Sequence, residues 1–96
     1  MLKINEIDIV VASREFEFRL EDGSTETYSV RVGMPYERDD GFDWCCPYEL
    51  GTASSRRLRC AFGIDSIQAL ELAMKIIKVE IEIWERYRLD ENTLKT

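Results

Sequence analysis

The chain has 96 residues, 45% hydrophobic and 33% charged, a balance that excludes disordered and low-complexity classes and suits one compact domain. Nineteen acidic residues against thirteen basic ones leave a net charge of −6, so a nucleic-acid backbone is repelled on average and nucleic acid is not an expected partner. Histidine is absent, which removes the usual general base near neutral pH, the Ser-His and Cys-His nucleophile pairs and the commonest metal ligand.

No apolar run approaches the roughly 18–20 residues of a membrane span, and the first residues lack the basic-then-apolar order of a secretory signal. Three cysteines, Cys45, Cys46 and Cys60, make an odd set with no spaced framework. These features lead to the expectation of a cytoplasmic protein with no membrane contact and no cofactor. Acidity is concentrated early: residues 1–55 hold five Lys/Arg and twelve Asp/Glu, whereas residues 56–96 hold eight and seven.

Residues 7–20 alternate with period two, but the phase changes. Ile7, Ile9 and Val11 are odd and Phe16, Phe18 and Leu20 even, so either a bulge lies near Ala12-Ser13-Arg14 or both faces of the first half are covered. Thr25 to Gly33 alternates cleanly, with Tyr28, Val30 and Val32 on one face. Parity fixes the connection: a three-residue loop, Glu21-Asp22-Gly23, sets Leu20 opposite Ser24 and Phe16 opposite Tyr28, with Gly23 in the left-handed position. Residues 34–42 lose the alternation and read as the longest loop.

From Asp43 to Leu50 period two resumes, with Trp44, Cys46, Tyr48 and Leu50 on one face and Cys45 and Pro47 on the other. Pro47 lacks an N–H, so an edge or an irregularity is expected beside it. After a turn at 51–55, Arg56 to Gly63 alternates with Leu58, Cys60 and Phe62 expected inward. Pairing Leu50 with Leu58 would make Cys46 and Cys60 diagonal neighbours, here read as two buried free thiols.

At Asp65 the period becomes helical. Asp65 suits an N-cap, Gln68 completes a capping box, and Ile64 with Ala69 could staple the start. The helix is expected to run to about Leu89, with a polar tail from about residue 90. Its expected seam onto the sheet is Ile67, Leu70, Met74, Ile77, Ile81 and Trp84. A second stripe, Leu72, Ile76, Val79 and Ile83 with Tyr87 beside it, cannot face the same sheet.

Trp44-Cys45-Cys46-Pro47 and Gly63-Ile64-Asp65-Ser66-Ile67-Gln68-Ala69-Leu70-Glu71-Leu72-Ala73 resemble a family of small uncharacterised bacterial domains. These carry a W-x-C-P segment followed by G-x-D-x-x-Q-A-L-x-L-A. The resemblance covers about a third of the chain and implies a bacterial source and a strand-turn-strand-helix unit. It transfers no catalytic residue.

Candidate sites are few. Glu37, Asp39, Asp40 and Asp43 surround Gly41 without calcium-loop spacing and read as a solvated acidic loop. Glu15 and Glu17, outward on the first strand, could join Asp39 and Asp40 in an acidic docking face for a basic protein partner. Arg56, Arg57 and Arg59 with Lys75 and Lys78 form the basic concentration, and intramolecular pairing with the acidic N-terminal half is their expected use.

The reading is α+β: a single domain, 1–96, with a four-stranded antiparallel meander and one long C-terminal helix packed across one face. The expected function is a non-catalytic interaction module, an adaptor or an immunity-type inhibitor, homodimeric through Leu72, Ile76, Val79, Ile83 and Tyr87. The alternative is a small enzyme or ligand-binding domain using Cys46, Tyr48 and the loop carboxylates.

Overall fold

The computed structural model describes residues 7–39, 41 and 43–95, with side chains as far as Arg86. The period-two segments form β1 (Val10–Arg19), β2 (Thr25–Gly33), β4 (Trp44–Thr52) and β5 (Ser55–Gly63), all antiparallel, and the helical period forms α1 (Ser66–Lys95). The fold is α+β, as the sequence leads one to expect. One strand more than the expected four is present: the two-residue β3 (Tyr36–Glu37) lies within the stretch read as loop. It pairs with Cys45 and Trp44 of β4, while β2 pairs with β4 from Thr52 to Tyr48. Because β5 lines the other side of β4, β2 and β3 share one edge of that strand and the meander order survives.

The first hairpin has the register that parity dictates. Phe16 stands opposite Tyr28, the Leu20 N–H donates to the Ser24 carbonyl at 2.8 Å, and Gly23 has φ of 91°. The Asp22 carboxylate accepts the Ser24 N–H at 2.9 Å, and hydrogen bonds from Ser24 hold it below its ordinary pKa. The register shift of β1 falls between Val10 and Ala12, making Val11 the extra residue, slightly earlier than expected.

The second hairpin corrects the sequence reading. Thr52 pairs with Ser55 across a two-residue turn, so Leu50 meets Arg57 and Glu49 meets Leu58. This single step turns Leu58, Cys60 and Phe62 to the face away from α1 and puts Arg57, Arg59 and Ala61 on the helix side of the sheet, with Ala61 buried and the two arginines exposed. Gly51 makes the step possible: it has φ of 136°, and a Cβ there would strike the Ser55 carbonyl. Pro47 lies opposite the break between β2 and β3, the irregularity expected beside it.

The helix start follows its cap signals. The Gln68 N–H donates to the Asp65 carboxylate at 2.7 Å, and the Gln68 side chain accepts the Ile64 N–H at 2.7 Å. Ile64 is 75% exposed, so no staple forms. The helix continues to Lys95, past the expected end near Leu89, as a sequence without Gly or Pro allows.

Its seam is rotated by roughly 50° from the expected stripe, at 100° per residue. Ala69, Ala73 and Ile77 are buried, with Leu70, Ile76, Ile81 and Trp84 packed beside them, whereas Ile67 and Met74 are 69% and 47% exposed. Small side chains explain the rotation. A Cβ on Gly63 would come within 2.5 Å of the Ala69 nitrogen, so helix and strand backbones approach closely there. Tyr28, Val30, Val32, Cys46, Tyr48, Leu50 and Ala61 complete the core from the sheet.

Toward its far end α1 rests on aromatic rings. Trp84 stacks on Tyr28 with centroids 4.4 Å apart and meets Phe18 edge-on at 5.2 Å and Phe16 at 5.9 Å. Two substitutions separate the two ends of this contact. Asp65→Ala should cost about 1 kcal/mol of unfolding free energy through the lost cap, and Trp84→Ala about 3 kcal/mol through the lost ring contacts. Urea denaturation followed by far-UV circular dichroism measures both.

Candidate functional site

Burial separates the sequence candidates. Cys46 is 0% and Tyr48 4% exposed, both beneath α1. The Cys46 thiol faces the Gly33 carbonyl at 3.5 Å, and burial followed by the neighbouring Cys45 pushes its pKa up to about 11. Burial also raises the pKa of Tyr48. Neither group can meet a substrate without opening the core, and a thiol shifted in this direction is a poor nucleophile.

On the opposite face the structure assembles a cluster that the expected register hid. Tyr36 stands opposite Cys45 across β3 and β4, and Cys60 of β5 is the diagonal neighbour of Cys45 on the other side. Burial and the adjacent thiols raise the Tyr36 pKa, and burial together with Cys45 pushes the Cys60 thiol up to about 12. Cys45 does point away from α1, yet it is only 1% exposed. A Cβ on Gly33 would meet Ile7 at 2.7 Å and Pro47 at 2.8 Å, so this face carries apolar contacts of its own.

The acidic candidates do not converge. Glu15 and Glu17 stand opposite Ser29 and Thr27, exposed on the face away from α1, at the β4 end that holds Gly51. Asp39 lies in the loop before β4, at its other end, with Arg38 paired to Asp43 at 3.4 Å nearby. About eight residues of strand, roughly 26 Å, separate the two groups. Asp40 lies outside the described residues. Between them Glu49 sits 3.5 Å from Arg31 and 3.7 Å from Arg56, so the face carries both signs.

The basic residues are partly used within the chain, Arg56 with the acidic half as expected and Arg57 with the helix instead. Arg56 reaches Glu49, and Arg57 pairs with Glu80 of α1 at 3.1 Å, clamping β5 to the helix.

Of the second stripe, Leu72, Val79 and Ile83 are 40%, 52% and 53% exposed, while Ile76 is half-buried against the core. The Tyr87 side chain lies outside the described residues. On the other flank of α1 runs an apolar groove of about 680 Å³, floored by Ala12, Val30 and Val32 and walled by Met74, Ile77 and Ile81. Sequence reasoning missed this groove. Its signal was the spacing of Ala69 and Ala73, which marks where a helix can lie close to a sheet.

A family model for a domain of unknown function, DUF6968, matches residues 12–94. The chain belongs to this family. The match takes in all of β2–β5 and nearly all of β1 and α1, so the sheet and its helix together are the family's unit. No curated protein and no solved structure gave a match. Among the described residues, no helix is long and apolar enough to cross a membrane.

The thiols give a direct check of this arrangement. Iodoacetamide at pH 8 should modify Cys60 before Cys45 and Cys46, each at least about tenfold more slowly than in the unfolded chain. Peptide mapping by mass spectrometry reads the order. Cys46 reacting first would contradict the burial described above.

Proposed function

We propose that the protein is a non-catalytic interaction module of the bacterial cytoplasm that acts as a homodimer through one flank of α1. The observation that carries this reading is the row Leu72, Val79 and Ile83, which the sheet leaves 40–53% exposed. With Ile76 these residues follow a 4-3-4 spacing, the period of a helix-pairing seam. An antiparallel pairing about a two-fold axis sets Leu72 of one copy against Ile83 of the other, and Ile76 against Val79. The same pairing brings Lys75 of one copy alongside Glu82 of the other, twice by symmetry, so charge agrees with the apolar register. Free cysteines and the resemblance to bacterial domains support the compartment and source.

The competing reading, an enzyme or ligand-binding domain built on Cys46 and Tyr48, loses support because both are sealed in the core. A basic protein partner would meet Glu15 and Glu17 alone, at some distance from Asp39. Surface charges of this kind contribute modestly to affinity, and the apolar flank is therefore the stronger contact.

Sedimentation velocity tests the proposal. The unaltered protein should sediment as a dimer, and a Val79→Glu, Ile83→Glu variant as a folded monomer. Lys75→Glu alone should weaken the dimer, and Lys75→Glu combined with Glu82→Lys should restore it. A monomeric parent protein, or a double-Glu variant that stays dimeric, overturns the reading.

A further inference from the structure

The opposite flank of α1 borders the groove and, beyond it, the end of the sheet. Among the described residues β1 is the terminal strand: one side pairs with β2 and the other carries unpaired N–H and C=O groups. The groove opens beside this edge because Ala12 is too short to fill the space under Met74 and Ile81. Apolar surface continues beside the mouth, with Val11 and Met74 each exposed by 47%. The rim carries Arg14 and Lys78 in a chain of net charge −6, with Lys75 and Glu82 on the ridge that the groove shares with the dimer flank. Arg14 lies over the Phe16 ring, 4.4 Å from its centroid, which fixes its position at one end of the groove.

We propose that this corner is a strand-addition site for an extended peptide that has apolar side chains at alternate positions and a carboxylate among them. The peptide backbone pairs along the free edge of β1. Every second side chain then points to the helix side of the sheet, where the groove takes the apolar ones and Arg14 with Lys78 takes the carboxylate.

A second copy of β1 does not fit this role. With a two-fold axis normal to the sheet, each register that pairs the middle of the strand with itself opposes like charges. Arg14 meets Arg14, Glu15 meets Glu15 or Glu17, or Glu17 meets Glu17. The last of these registers also sets Glu15 against Arg19 twice, but in any of them a second β1 brings Arg14, and no carboxylate, to the helix side, so the basic rim selects a different chain.

The probe is a fluorescein-labelled octapeptide with blocked ends, alternating valine and threonine, with one valine replaced by glutamate. Fluorescence anisotropy should show saturable binding to the full chain. Met74→Glu and Arg14→Glu, both at exposed positions, should each weaken it at least tenfold, as should lysine in place of the peptide's glutamate; near-UV circular dichroism verifies that the variants are folded. Two further peptides, N-methylated at odd or at even residues, separate backbone pairing from simple groove filling. One set of amides faces β1, so one peptide should fail and the other bind.

Equal behaviour of the two methylated peptides, or unchanged binding to both variants, overturns the proposal. So does binding of sodium dodecanoate in the groove with no binding of the peptide, which would make it a site for small amphiphiles. The Val79→Glu, Ile83→Glu variant should bind the peptide as the parent protein does, so this site stands or falls separately from the homodimer.

Discussion

The close approach of α1 to β4 and β5 governs the rest of the molecule. It depends on side chains that are nearly absent: Gly63 and Ala61 on the strand, Ala69 and Ala73 on the helix. A buried apolar seam of larger residues would hold the axes about 10 Å apart, whereas these allow near-contact of backbones at one end. At the other end the stack of Trp84 on Tyr28, with Phe16 and Phe18 beside it, props the helix on large rings. The helix is thus set low over β5 and high toward β1, and the groove is the open side of that wedge.

Much of this fold is legible in the sequence, and the reasons it is legible are local. Alternation and loop parity decide the first hairpin because Glu21-Asp22-Gly23 admits one sensible register. The helix start is likewise carried by Asp65 and Gln68, three residues apart. The second hairpin fails for a tertiary reason. Leu58, Cys60 and Phe62 look like a core face because they are apolar, but the outer face of the sheet also carries apolar contacts, from Pro47 and Ile7. Apolar alternation reports burial potential, not which of two partly covered faces a strand presents.

The helix seam was misplaced for a similar reason. Weighing residues by hydrophobicity favours Ile67 and Met74 over Ala69 and Ala73, yet steric fit decides, and the small residues win the contact. The candidate sites inherit these errors. Alternation alone sets Cys60 beside Cys46, whereas in the structure it neighbours Cys45, and the acidic residues are apart because strand register, not sequence proximity, sets distances across a sheet. The exposed stripe was legible because its excess of branched apolar residues exceeds what any one sheet can cover.

The wedge also makes α1 a lever. Most of the ring contact that holds the helix lies at Trp84, about fifteen residues and roughly 22 Å from the fulcrum at Ala69. A fulcrum made of glycine and alanine contributes little attraction and a great deal of positional constraint. Adding one methyl group at residue 63 would therefore be felt at a distance: it lifts the near end slightly and swings the far end, so that the rings and the groove would register a change made where neither has an atom.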